Sequence, residues 1–299
     1  MEQENILNEK SAIKAGEILK QVKTYAKSII KKDMLLLEIA NKIEDKIFEL
    51  GGEPAFPTNL SINEIAAHYT PSHNDKNLAH GLLKVDIGVH VEGWTADSAF
   101  SLDLEDSEEN KKLIEASKQA VEEVEKIISN KTTLSEIGEL VENTIKEKGF
   151  QPISNLTGHS MEEYELHAGV AIPNVKNNSD FQLGEGLYAI EPFATTGSGK
   201  VQDGKPSGIY ELIDSRNVRS PLAREVLDYI INYYSTLPFC SRWLVEEFGA
   251  RAIIALRQLE QNGNLHHFAQ LVESSKAKVS QHEQTFLVKK DKVIVTTKE

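Results

Sequence analysis

KVDIGVHVEGWTADSAF, residues 84–100, is the stretch on which the fold turns. Val85, Ile87, Val89 and Val91 alternate with Asp86, Gly88, His90 and Glu92, the period-two pattern of a β-strand. Glu92-Gly93 can form a tight turn, after which Trp94 to Phe100 returns as a second strand. A two-residue turn sets Val91 opposite Trp94, Gly88 opposite Asp97 and Asp86 opposite Ala99. Asp86 and Asp97 then share one face as diagonal neighbours, roughly 7–8 Å apart at the backbone. Carboxylates across such a gap suit a pair of hard cations about 3.5–4 Å apart. On this stretch alone, two solvated acids explain the pattern equally well.

The rest of the chain bounds the answer. Its 299 residues, 40% hydrophobic and 26% charged, suffice for a fully cored globular protein of one large domain or two small ones, read here as a single domain over residues 1–299. A formal net charge of −13 argues against a general nucleic-acid binder, although the first thirty-two residues are rich in lysine. With Cys240 as the single cysteine, no intramolecular disulfide can form, which fits a reducing compartment. The beginning, MEQENILNEK, has no apolar signal core, and no run approaches the ~20 apolar residues of a membrane span. A soluble, cytoplasmic monomer is expected.

The first two hundred residues read as one plan used twice. Residues 8–31 form an amphipathic helix, and Asp33 caps a second that stops at Gly51-Gly52. Residues 108–130 form a third helix, and Thr133 with Glu136 makes a capping box for a fourth that ends at Gly149. The similar segments TNLS (58–61) and SNLT (154–157) follow each pair, and acid-bearing strands follow those. A pseudo-two-fold α/β sandwich, α+β in class, with a metal site at the centre of its sheet is expected. Residues 192–208, PFATTGSGKVQDGKPSG, read as a Gly- and Ser-rich connection. Ser220-Pro221 opens the first of three helices over 220–236, 241–248 and 250–262, and Asn262-Gly263-Asn264 ends the last. Strands follow near 266–272, 280–289 and 292–297, so residues 205–264 read as a helical insertion subdomain within the domain.

The remaining acids stand in specific contexts. GHSMEEYELHAG holds His159 and His167, LYAIEPFATTG holds Glu191, and VSQHEQTFLV holds Glu283. Upstream lies AFPTNLSINEIAAHYTP, in which INEIAAHY reads as a helix-like run with His68 near its end. With these segments in this order, nearly the whole chain resembles type II methionine aminopeptidase, including the helical insertion, and the short start resembles that family's archaeal form. The resemblance implies the pita-bread (creatinase/aminopeptidase-like) fold. It also implies hydrolytic removal of the N-terminal methionine from newly made proteins whose second residue is small. Asp86, Asp97, His159, Glu191 and Glu283 would hold two divalent ions (Co, Mn, Fe or Zn), a choice such ligands leave open. Those ions would acidify a water and polarise the scissile carbonyl, with Glu191 moving the proton.

By the same resemblance, His68 would contact the scissile peptide and His167 its carbonyl oxygen, while Phe56, Leu166 and Phe268 would line the methionine slot. His90 shares the parity of Asp86 and is expected beside the site without a catalytic role. His73, His80, His266 and His267 read as solvent-facing or structural, and Cys240 as a buried structural thiol. Family members usually carry His where this chain has Gln284, and both Gln284 and His282 should point away from the metals. The partner implied is the N-terminal Met of nascent polypeptides, with ribosome docking left open. Two other readings stand beside this one: a Xaa-Pro peptidase of the same fold, and a non-catalytic ribosome- or RNA-binding relative.

Overall fold

A computed structural model describes residues 7–299; the reading of the charged beginning falls largely on residues 1–6, outside the described residues. The chain opens with helices α1 (Glu9–Ile29) and α2 (Leu36–Glu49), then strands β1 (Glu53–Ile62), β2 (Ile65–Ala67), β3 (Leu82–Val91) and β4 (Trp94–Asp103). Helices α3 (Glu108–Ile127) and α4 (Leu134–Glu147) follow. Then come β5 (Gln151–Pro152), β6 (Thr157–Met161), β7 (Ala171–Pro173), β8 (Gly186–Ile190), β9 (Phe193–Thr195) and β10 (Val201–Leu212). The last third holds α5 (Pro221–Tyr233), β11 (Phe239–Cys240), α6 (Ser241–Phe248), α7 (Ala252–Asn262), β12 (Leu265–Glu273), β13 (Val279–Gln281), β14 (Gln284–Val288) and β15 (Val293–Val295).

The hairpin has the register its sequence dictates: Val91 faces Trp94, Gly88 faces Asp97 and Asp86 faces Ala99. Glu92 (φ 52°) and Gly93 (φ 80°) make the left-handed turn that matches strand twist. Strands β1, β3 and β4 form one sheet, with α1 and α2 packed on it through Leu19, Ile39, Ile43, Val85 and Ile87. A five-stranded sheet, in the order β15-β14-β8-β6-β7, carries α3 and α4 through Leu113, Val121, Ile137, Ile190 and Phe286. Two helix-covered sheets thus repeat in the two halves. They meet where β4 touches the β14 segment. There the Thr285 hydroxyl donates to Asp97 O (2.7 Å) and accepts from Asp97 N (2.8 Å), while Glu283 N donates to Ala99 O (3.0 Å).

Several elements depart from the sequence reading. Asp33 does not cap α2: it lies at φ 67°, and Leu35 occupies the cap position without a side-chain bond. Of the first-turn N–H groups, Leu36 N goes to Asn77 O in a passing segment, and Asp33 N, upstream of the helix, bonds Ala79 O in the same segment. By contrast, the Thr133–Glu136 capping box forms in full. INEIAAHY is no helix; Asn63 (φ 50°) turns the chain, and β2 pairs with β12. Residues 192–208 are not a simple connection, since they hold β9 and the first part of β10. Their Gly and Pro residues accommodate register breaks between Asp203 and Pro206 and between Pro206 and Tyr210. The strand expected over 280–289 is split at His282-Glu283.

Helices α5 to α7 lie between paired strands β10 and β12 and pack around their own core of Val226, Ile230, Leu244, Leu256 and Leu259. A buried ion pair ties them to α2. The two terminal guanidinium nitrogens of Arg242 donate to Glu44 (2.7 and 2.8 Å), and Glu44 also accepts from Trp243 Nε1 (2.8 Å) and from Thr58 N (3.1 Å). No helix among the described residues is long and apolar enough to cross a membrane.

Candidate metal centre

The chain brings its acids together from both halves. Asp86 lies on β3, Asp97 on β4 and His159 on β6, while Glu191 follows β8 and Glu283 precedes β14. Asp97, His159 and Glu283 each offer a ligand atom, and the three atoms lie within 4.8 Å of one another. His159 Nε2 is 3.6 Å from Asp97 Oδ2 and 3.8 Å from Glu191 Oε1. Asp86 and Glu191 are joined by one amide: Gln281 Nε2 donates to Asp86 Oδ2 (3.3 Å) and to Glu191 Oε2 (3.4 Å).

Four carboxylates in so small a buried volume repel one another. Burial pushes Asp86 up to about 7, against a hydrogen bond from Gln281 that pulls it down. Burial and neighbouring carboxylates hold Asp97, Glu191 and Glu283 well above the usual range. Burial, then the adjacent His167, pushes His159 down to about 3, leaving its imidazole neutral as a ligand must be. Asp86 Oδ1 and Asp97 Oδ1 are buried and accept no hydrogen bond from any described residue. Buried oxygens without donors are costly, and an oxygen-seeking divalent cation satisfies them. The donor set of four carboxylates and one imidazole therefore fits a hard or borderline divalent ion.

The histidines beside this cluster are held neutral. His68 is pushed down to about 4, chiefly by burial, and its Nδ1 lies 3.2 Å from Ala269 O. A carbonyl can only accept, so Nδ1 carries the proton and Nε2 is left as an acceptor. Burial also lowers His167, whose ring lies edge-on to His159 with centroids 4.4 Å apart. A cavity of about 70 Å³ is lined by the four carboxylates and the imidazole of the cluster, by His68 and His167, and by Phe56, Leu166 and Phe268. Every residue expected at the site from sequence therefore borders this one space. A second cavity of about 320 Å³ adjoins it, sharing His68, His159, His167 and Glu191. The Phe56 ring rests on Gly88, where an added Cβ would come within 2.3 Å of it.

Sequence reasoning missed Asn59, Ala67, Ile209 and Pro238 in the cavity wall, and it missed Gln281. Gln281 stands two positions before Glu283, a spacing that could have drawn attention to it; nothing in the sequence marks Ile209 or Pro238. The remaining histidines lie elsewhere. His90 is buried and accepts from Gly93 N (3.3 Å), outside the cavity. His267 stacks on Tyr210 with centroids 4.1 Å apart, and His73, His80 and His266 are exposed. His282 faces Lys23, Lys27 and Lys118, and burial holds it down at about 3. Gln284 turns its amide oxygen to Lys23 (3.4 Å) and Thr297 (2.5 Å), away from the carboxylates. Cys240 is a buried thiol that burial pushes up to about 12.

Residues 10–224 match the description of metallopeptidase family M24. The chain is 44% identical over 290 residues to a methionine aminopeptidase of Pyrococcus abyssi, covering 95% of this chain and 98% of that one. It is 43% identical over 291 residues to the methionine aminopeptidase of Methanocaldococcus jannaschii, covering 96% and 97%. Among solved structures, a thermophilic Arx1 superposes with a TM-score of 0.84 at 15% identity over 96% of this chain and 90% of that one. A methionine aminopeptidase from Thermotoga maritima gives 0.69 at 19% identity, over 97% and 96%. At such identities the superpositions speak for the fold alone.

Proposed function

The chain belongs to metallopeptidase family M24, alongside archaeal methionine aminopeptidases, and from that premise we propose how its residues carry out the reaction. It has the pita-bread fold and is a metal-dependent aminopeptidase that removes N-terminal methionine. Asp86, Asp97, His159, Glu191 and Glu283 would hold two divalent ions, Co, Mn, Fe or Zn. Such ions, when bound, supply Lewis-acid polarisation of a carbonyl and a lowered pKa for water. Glu191 takes the proton of the attacking water and passes it to the leaving amine. His68 Nε2 accepts from the scissile peptide N–H, a role its bond to Ala269 O prepares. His167 donates to the carbonyl oxygen as negative charge develops there. Phe56, Leu166 and Phe268 receive the methionine side chain, a flexible thioether that fills an irregular apolar slot. Residues 205–264 act as an insertion within one domain: strands β10 and β12, which flank the helices, supply Ile209 and Phe268, and Pro238 lies just after α5. The remainder of the polypeptide leaves through the adjoining cavity. This work is placed in the cytoplasm, on nascent chains, by a monomer.

What supports the reading is the convergence of ten separately expected residues on one buried cavity. A metal-loaded peptidase assay tests it, with Met-Ala-Ser, an N-acetylated Met-Ala-Ser, Leu-Ala-Ser and a Xaa-Pro dipeptide in parallel, and an RNA pull-down beside them. Met-Ala-Ser should be cleaved fastest. Leu-Ala-Ser should be about tenfold slower or worse, in line with the ~1–3 kcal/mol of such shape changes. The acetylated peptide should be inert, because the acetyl group would have to enter where the ligands converge. A preference for Xaa-Pro, or RNA capture without hydrolysis, would reject the reading.

A further inference from the structure

A third cavity, of about 250 Å³, lies where the helical insertion meets α2, β1 and β3, apart from the carboxylate cluster. Its walls are aromatic: Tyr229, Tyr233, Tyr234 and Trp243 from the insertion, with Phe48 and His90 from the opposite side. The four rings of the insertion form one contiguous cluster. Tyr229 stacks on Tyr233 (5.4 Å between centroids), Tyr233 meets Tyr234 edge-on (5.1 Å), and Tyr234 stacks on Trp243 (5.6 Å). Phe48 is 49% and Tyr233 50% exposed, so apolar surface lies open to solvent at the mouth. Three carboxylates, Glu53, Glu246 and Glu247, share that lining and are exposed.

No described lysine or arginine forms an ion pair with any of the three. Arg242, the cation nearest in charge to Glu246, spends its guanidinium on Glu44. Acids around a mouth lined with aromatic side chains repel an anion and favour a cation, which aromatic rings also attract. A bare metal ion has no comparable ligand set here, since the converging group of metal-ligand side chains found among the described residues is the one at Asp97, His159 and Glu283. The size is below the roughly 300–1,000 Å³ typical of drug-sized sites, so a small group is indicated.

We propose that this cavity binds an alkylammonium group, such as ends a lysine side chain or a free diamine. The aliphatic stem lies among the rings and the charged head stays at the acidic mouth, where it remains hydrated.

The full-length, metal-loaded protein tests this. The indole N–H signal of Trp243, assigned with Trp243→Phe, is followed by NMR during titration with n-butylammonium and, separately, with 1-butanol, which has the same carbon chain without charge. Saturable binding of the ammonium at least about fivefold tighter than the alcohol is expected, weakening as salt is added. Glu53→Gln/Glu247→Gln, both at exposed positions, should remove that preference with the fold unchanged. Parallel titrations with N-acetyl-lysine methylamide and with putrescine separate a peptide side chain from a free diamine, the tighter of the two naming the source. Equal binding of alcohol and ammonium would leave an apolar hole and overturn the proposal. So would an undiminished preference in the double variant, or the absence of any saturable shift in Trp243.

Discussion

His68 carries its imidazole at φ 61°, a left-handed conformation that is uncommon away from glycine, on the first residue after β2. The bond from Nδ1 to Ala269 O and the edge contact with Phe268 (5.5 Å) hold the ring there. A rotamer so confined is positioned before substrate arrives. His68→Ala and His167→Ala are each expected to keep bound metal, counted by atomic absorption, while kcat falls about 10²–10³-fold. Asp97→Ala should behave differently: activity and metal are lost, yet circular dichroism shows a folded protein, because the two sheets remain. Gly88→Ala should raise KM for methionyl peptides with metal content unchanged, since the new Cβ displaces Phe56 and not a ligand. Single residues were unequally legible in the sequence. Asp86 and Asp97 announced themselves because strand alternation and a two-residue turn fix a register. His68 sat in a run whose Ile and Ala residues also suit a helix, and only the pairing of Ile65–Ala67 with a strand two hundred residues away makes the residues before it extended.

At the level of elements, the insertion is fastened by a single buried cation. Arg242 pairs bidentately with Glu44 on α2, also donates to Asn41 Oδ1 (3.1 Å) and Pro71 O (3.1 Å), and is 1% exposed. Arg242→Met leaves Glu44 buried without its countercharge and should cost about 3–5 kcal/mol in urea unfolding. Glu44→Gln added to it should recover part of that loss, because the charge left behind is gone. Helix starts were readable where a side chain supplies the cap, as at Thr133 and Ser220. Asp33 misled because its segment is satisfied by backbone from residues 77–79, a partner that local sequence does not name. The stretch 192–208 misled for a related reason. Glycine and proline usually punctuate loops, but here they shape bulges in a strand held by β12.

For the whole molecule, the ligand cluster is a liability when no cation neutralises it. Asp86, at about 7 when folded against its ordinary 3.8, binds more protons in the native state than in the unfolded one between those values. Stability of the metal-free protein should therefore rise as pH falls from 7 towards 4, and fall as pH rises through 7. Chelated protein scanned by calorimetry should show a higher Tm near pH 5 than near pH 8, and added divalent ion should raise Tm most at the higher pH. The two-fold plan was visible in the order of helix pairs and acid-bearing strands, whereas the seam between halves was not, because Thr285 gripping Asp97 is a contact across most of the chain. That seam also sets a timetable. Glu283 follows every other ligand and the whole insertion in the order of synthesis, so a growing chain presents four ligands before the fifth exists. Domains fold as units as they emerge. If Glu283 completes the ligand set as proposed, activity should appear only after β14 has docked against β4, so a chain truncated before residue 283 is expected to be inactive.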